Sequence, residues 1–301
     1  MEQKSTKQKL VTVTGSTFTS FVIWDLLTKA FEAYQQLDHS KRHFQTSMWE
    51  HGHASAAIVL TVISIEAYRN GICYLSRRAV SRGAYAVPID LSDVLLIGDD
   101  RFPAERFKNL LAEMFVVRDV IVHNHIYEVE VTSDEHWEMV RHEQKLLKGY
   151  GRDAKYSACV NDRTRRTKLL RLNVQPAKMG FEDLFKMLIT FDLFVGVTEN
   201  LLGKGYVPAS VQYQIEDRWV RNVSEVLTHY LGKVTNQRFI AEVAKLSAYL
   251  RKDFANFLPP MAKWDWFITN ICPSCSSPGF FKKRGQYSCS KCGAAIRTSQ
   301  G

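Results

Sequence analysis

The N-terminal stretch, MEQKSTKQKL, is polar and has none of the apolar run that a secretory signal requires. The most apolar segment, residues 54–65, is too short to span a bilayer and runs into Glu66, Arg69 and Asn70. Internal repeats and low-complexity tracts are also missing, which excludes solenoid and fibrous architectures. Cysteine is scarce, six in 301 residues, so no disulfide framework holds a chain of this size. These absences lead to the expectation of a cytoplasmic globular protein with no membrane partner.

What is present is an ordinary globular composition with a formal net charge of +9, which favours a polyanionic partner because clustered Lys and Arg release counterions from phosphates. Most of the chain has helical periodicity. Phe21, Trp24, Leu27, Phe31, Tyr34 and Leu37 form one amphipathic stripe. Residues 54–74 are apolar nearly all round and predict a buried central helix. Residues 83–98, with Pro88 and several turn formers, read as a loop. Pro103 opens a third helix with the stripe Phe107, Leu110, Leu111 and Met114, continuing to about His125. Period-two alternation then marks strands at Tyr127, Val129 and Val131, and at Leu170, Leu172 and Val174, with Val11 and Val13 as a third. Helical spacing returns from Phe181 to Leu202, closed by Gly203, and two more helices are expected over 209–231 and 236–258, the last stopped by Pro259 and Pro260.

Four cysteines carry the most specific signal. Cys272 and Cys275 form one C-x2-C pair, and Cys289 and Cys292 form another after thirteen residues. Two such knuckles supply four thiolates to one tetrahedral ion, and all-sulfur ligation leaves no position for substrate, so the site is read as structural zinc. The paired spacing is better suited to zinc than to a redox C-x-x-C, and Phe280, Phe281 and Tyr287 suit the hairpin of a zinc ribbon. Lys282, Lys283, Arg284, Lys291 and Arg297 surround it, so the ribbon either contacts nucleic acid or is a solvated, stabilising appendage. Cys73 and Cys159 are isolated and read as buried small residues. His51 with His53, and His136 with His142, read as surface histidines rather than ligands.

A second signal is Arg118-Asp119-Val120-Ile121-Val122-His123 near the end of the third helix. Together with the preceding apolar helix, AIVLTVISIEAYRN, it resembles the HEPN family of four-helix-bundle ribonucleases and nucleotide-binding domains. The signature of that family is Arg, a polar residue, three further residues, then His. The resemblance implies an all-α fold: a HEPN-like four-helix bundle over residues 1–204 with a small β insertion at about 126–176, to which this chain adds a helical segment over 205–265 and the zinc ribbon over 266–301. It further implies a metal-independent endoribonuclease that leaves 2′,3′-cyclic phosphate ends, with Arg118, His123 and Asp119 as its catalytic group. Relatives of that kind dimerise so that two motifs line one cleft, and they serve as bacterial toxins or anti-phage effectors that cut tRNA or other RNA, some with an antitoxin or regulatory partner.

The chemistry suits the residues. Histidine exchanges a proton near neutrality, and the guanidinium fork matches phosphate oxygens. Arg118 and His123 lie five apart, about 140° around a helix. The plainer reading makes Arg118 a salt-bridge partner of Glu113 or Asp119 and His123 a helix-end residue favoured by the dipole. Residues 152–178 hold eight basic residues against Asp153 and Asp162. Of these Arg163, Arg165, Arg166, Lys168 and Arg171 either grip an RNA backbone or form a solvated face. The alternative function is a non-catalytic nucleic-acid- or partner-binding module with the ribbon as its recognition element.

The cysteine pattern makes a direct prediction. Freshly purified protein should carry about one zinc per chain. Cys289→Ser should lose the metal and loosen the C-terminal segment while the helices survive. Elemental analysis finding no zinc in the wild type refutes the assignment.

Overall fold

The computed structural model describes residues 21–37, 46–83, 85–123, 154–203 and 223–258, together with the backbone of the strands at 127–133, 139–146, 213–215, 218–220, 280–283, 286–289 and 295–296. The described chain is mostly helical. α1 (Phe21–Gln35) buries Trp24, Leu27, Phe31 and Tyr34 of the expected stripe, with Ile23 beside them, against α2 (Met48–Leu75). α2 begins earlier than its apolar core suggests because Ser47 caps it, its hydroxyl accepting the Glu50 amide at 3.1 Å. At this length it is apolar and long enough to cross a membrane, yet half of the qualifying stretch is buried inside the protein.

Residues 83–98 are not a loop. α3 (Ala86–Gly98) occupies most of them and buries Val87, Leu91, Val94 and Leu95 at helical spacing. Pro88 is tolerated because it lies in the first turn, where amides have no intrahelical acceptor to lose. α4 (Ala104–Val122) follows with Phe107, Leu110, Leu111 and Met114 inward, and it stops before His125, with His123 as its C-cap.

A hairpin of β1 (Tyr127–Ser133) and β2 (Met139–Leu146) comes next, bulged between Glu130 and Val131. β2 has no apolar alternation and gave no sequence signal. α5 (Ala154–Cys159), β3 (Val160–Asn161) and β4 (Arg166–Thr167) then lead into residues 168–175. The strand expected at Leu170, Leu172 and Val174 does not form. Their burial does alternate with exposed Arg171, but Arg171 adopts φ 57°, which breaks an extended run, and only one bridge, Arg166 to Asn173, is made.

Side chains replace the missing ladder. The carboxylate of Glu113 accepts the amides of Leu169 at 2.7 Å and Leu170 at 2.8 Å. Thr167 Oγ1 accepts Leu172, and Asp183 Oδ1 accepts Asn173 at 2.8 Å. Glu50 accepts the Phe181 amide at 2.9 Å, at the start of α6 (Phe181–Leu202). A Cβ on Gly180 would lie 2.3 Å from that Glu50 oxygen, so only glycine lets the carboxylate in. α6 is buried along most of its length and ends at Gly203, whose φ of 98° favours glycine.

The helix expected over 209–231 is shorter than its pattern. β5 (Tyr213–Ile215) and β6 (Arg218–Val220) pair in its first half, and α7 (Val223–Lys233) runs through Gly232 rather than ending there. α8 (Gln237–Phe254) ends in a 3-10 turn to Phe257, with Pro259 and Pro260 outside the described residues. Tyr230, Phe239, Val243 and Phe254 join the same core as Tyr34, Phe181 and Phe107. Further on, β7 (Phe280–Lys283), β8 (Gln286–Cys289) and β9 (Ala295–Ile296) form a three-stranded antiparallel sheet. Val11 and Val13 lie outside the described residues.

Within α6, Asp192 is buried, and its Oδ2 accepts no hydrogen bond among the described residues. Burial, with the Glu199 carboxylate adding to it, pushes Asp192 from 3.8 up to about 8. The folded protein therefore keeps a proton that the unfolded chain releases near pH 4, and stability falls as pH rises from about 4 to about 8. Asp192→Asn should remove that slope and raise stability at pH 8 by a few kcal/mol (order of magnitude), with little change at pH 4. Denaturant titrations at both pH values test this, and an unchanged slope refutes it.

Candidate active site

The C-terminal turns of α4 hold the motif. Arg118 Nη2 donates to Glu66 Oε1 on α2 at 2.8 Å, and Arg118 Nε lies 3.3 Å from Asp119 Oδ1. The guanidinium carbon is 5.4 Å from the centre of the Phe115 ring. The other Asp119 oxygen accepts Lys155 Nζ from α5. Arg118 and Asp119 are half-buried and Lys155 is buried, so two cations and two carboxylates balance where α2, α4 and α5 meet. Among the described residues Arg118 Nε and Nη1 make no hydrogen bond, Nε being buried and Nη1 a donor available to an incoming anion.

His123 caps the helix. Its amide donates to Asp119 O at 2.9 Å and its side chain is exposed. A cation is favoured at this position by the unpaired carbonyls of the last turn. The structure thus ties Arg118 and Asp119 together and leaves His123 about one turn farther along, facing solvent.

Sequence reasoning found part of this cluster. Of the two expected partners of Arg118, Asp119 is in place, whereas Glu113 points to the 169–170 amides and Glu66 takes its role. Glu66 interrupts an apolar helix, which is the signal that marks it. Arg69 does not join it: Arg69 pairs with Asp90 at 3.0 Å and donates to Ser81 O and Asn70 Oδ1. Lys155 was visible only as one more basic residue, since nothing local ties it to Asp119, 36 residues earlier.

The basic run is divided among different tasks. Arg165 lies 3.7 Å from Asp162, and Arg166 lies 4.0 Å from Glu242, which also binds Lys186 at 2.6 Å. Lys168 Nζ donates to the carbonyls of Ser157 and Ala158 at the end of α5. Arg163 and Arg171 are exposed and make no ion pair among the described residues. Between α3, α4 and the end of α5 a cavity of about 350 Å³ is lined by Tyr85, Asn109, Glu113, Cys159 and Lys168, a feature the sequence did not reveal.

His51 Nδ1 is 3.2 Å from Met179 O and 3.3 Å from Ser55 Oγ, a local structural contact. Among the described residues no group of three or more His, Cys, Asp or Glu side chains is placed to hold a metal. Cys272, Cys275 and Cys292 lie outside those residues, as do the side chains of Cys289, His136 and His142. Cys289 is located by its backbone, paired with Phe280 across the hairpin.

The Lys155–Asp119 contact predicts a stability effect. Lys155→Met should cost about 2 kcal/mol by leaving a half-buried carboxylate with one cation fewer. Adding Asp119→Asn should recover much of it. Urea denaturation of the two single variants and the double variant measures the coupling, and strict additivity refutes it.

No family model matches the chain, and no curated protein or solved structure matches it either.

Proposed function

We propose that the protein is a metal-independent endoribonuclease of HEPN type acting as a homodimer in the cytoplasm. In this reading α1, α2, α4 and α6 make up the HEPN-like bundle, and α3 is an additional helix. The observation that carries the proposal is the end of α4: a guanidinium held by Glu66 and Asp119, with a solvent-facing histidine at the helix cap one turn beyond. Arg118 has a donor to spare for a non-bridging phosphate oxygen, and its ion pairs fix its direction before substrate arrives. His123 is free to reach a ribose.

The reaction follows from these groups. His123 takes the 2′-OH proton, O2′ forms a bond to phosphorus, and the P–O5′ bond breaks. The departing O5′ takes a proton from His123 of the second copy. The products are a 2′,3′-cyclic phosphate and a 5′-hydroxyl. Arg118 neutralises charge on the phosphorane, and Glu66, bonded to Nη2, orients it with the Asp119 carboxylate close by. Proton transfer and charge stabilisation come from side chains alone, so the step calls for no metal. Because Arg118 and His123 sit about 140° apart on one helix, a cleft shared by two copies brings an Arg and a His to bear on one phosphate. Arg163 and Arg171 are the exposed cations suited to the RNA backbone.

At the C-terminus, the antiparallel sheet with Cys289 ending its middle strand supports a zinc ribbon in which Cys272, Cys275, Cys289 and Cys292 hold a structural Zn2+. The wider role, a bacterial toxin or anti-phage effector acting on tRNA or another cellular RNA and restrained by an antitoxin or regulatory partner, belongs to the same reading. A second reading has an observation of its own. Arg118 lies between two carboxylates, as in a purely structural ion pair, which favours a binding module without catalysis.

RNA cleavage by purified protein separates the two. His123→Ala should lower the cleavage rate by about a hundred- to ten-thousand-fold while leaving the helical circular dichroism intact. Arg118→Ala should do nearly as much. A folded His123→Ala protein that cuts RNA at the wild-type rate overturns the catalytic assignment, and a wild type that binds RNA without cutting it establishes the second reading.

A further inference from the structure

The end of α2 and the loop behind it carry charge of one sign and one kind. Between Ala67 and Ile89 stand four arginines, Arg69, Arg77, Arg78 and Arg82, with no lysine, aspartate or glutamate among them. Arg69 works inward. It pairs with buried Asp90 of α3 at 3.0 Å, and its Nη2 donates to the Ser81 carbonyl at 3.1 Å, while Asp90 accepts the Ser81 amide at 3.0 Å. Both backbone polar groups of Ser81 are thereby fixed, and the loop is held to α3. Arg77, Arg78 and Arg82 are exposed and make no ion pair among the described residues. The Arg77 and Arg78 amides close α2 by donating to the carbonyls of Tyr74 at 3.1 Å and Cys73 at 2.8 Å, a turn that holds Arg77 at φ 53°. Glycine or asparagine takes that left-handed position at least cost. The helix dipole favours one cation there, but it gives no reason for three.

We propose that Arg77, Arg78 and Arg82, with Tyr74, form a docking surface for single-stranded RNA, on the part of the strand that flanks the phosphate at Arg118. Placement supports this. Glu66, Asn70 and Tyr74 follow one another at four-residue steps, within about 80° around α2, so one helix face leads from the carboxylate that holds Arg118 to the arginine loop. The path from Glu66 to Tyr74 is about 12 Å. Tyr74 is 62% exposed and offers a ring to stack on a base. The guanidinium forks match phosphate oxygens better than ammonium groups do. Bases in an A-form duplex are already stacked on one another, so an aromatic platform selects an unpaired strand. The basic run at 163–171 is less free: Arg165 and Arg166 lie near carboxylates, and Lys168 donates to carbonyls. The choice of RNA rests on the ribonuclease reading, whereas the surface itself lies outside the motif.

Fluorescence anisotropy of the full chain tests it, using a labelled 2′-O-methyl RNA single strand, which lacks the attacking hydroxyl and reports binding without cleavage. One triple variant, Arg77→Asn with Arg78→Gln and Arg82→Gln, removes the three cations and gives position 77 a residue suited to its backbone. Another, Arg238→Gln with Lys245→Gln and Lys252→Gln, removes the same charge from α8. The first, with helical circular dichroism unchanged, should bind about tenfold more weakly or worse and lose about 2 from the slope of log affinity against log salt, about 0.7 per phosphate contact. The α8 variant should keep the wild-type slope. Tyr74→Ala should weaken binding about tenfold with its slope unchanged. A wild type that does not bind the strand overturns the proposal, as does a loop variant with wild-type affinity and slope. So does an α8 variant weakened equally, which assigns the effect to bulk charge, or a duplex that competes as well as the strand. Exposed Leu75 and Val80 make a membrane the competing partner. Flotation with phosphatidylcholine–phosphatidylglycerol vesicles that the loop variant abolishes, without RNA binding, overturns the proposal in favour of that surface. Binding that depends on the loop in a protein that cuts no RNA upholds the surface and defeats the proposed activity. Cleavage by a protein whose affinity ignores the loop does the reverse.

Discussion

Backbone amides of residues 169–181 lie against an apolar core with only one bridge to a strand, Arg166 to Asn173, and the rest of the fold depends on how the others are satisfied. Glu113, Asp183 and Glu50 enter from α4, α6 and α2 and accept the amides of Leu169, Leu170, Asn173 and Phe181. Unpaired, each amide would cost roughly 1–3 kcal/mol. Burying carboxylates is itself unfavourable, and burial pushes the Glu113 carboxyl above its usual range even against the amides that favour its ionised form. The cost is offset because one carboxylate satisfies two amides at once. A segment with strand-like apolar alternation therefore becomes a strap across three helices.

The strap positions the candidate site. It anchors the chain just after α5, and α5 presents Lys155 to Asp119. Asp119 then shares its charge between Lys155 and Arg118, while Glu66 holds Arg118 from α2. Lys155, buried, and Asp119, half-buried, offset each other's charge at this depth. The network links three elements distant in sequence and holds one guanidinium in a fixed direction, which is a requirement of phosphate recognition and equally of a rigid helix junction.

α2 connects this network to the outside. One side of the helix is core, and the other exposes Trp49, Ile63 and Tyr74, with Glu66 at its edge.

Much was legible in the sequence because it rests on local physics. The stripes of α1, α4 and α6, the Gly203 stop and the burial alternation at Leu170, Leu172 and Val174 are set by side-chain period and backbone sterics within a few residues. The arginine and histidine of the motif were found in the same way, by spacing. What tertiary structure alone decided lies where partners are remote. Pro88 and nearby turn formers look like a loop until α3 finds a core to cover. Leu170 looks like a strand residue until Glu113 takes its amide, and Glu66 is not among the partners that local spacing offers Arg118 until α2 brings it across. Residues 54–74, apolar all round, could not say which side faces inward. Period belongs to the chain, whereas the choice among partners belongs to the packed structure, because a carboxylate 50 residues away leaves no mark on local spacing.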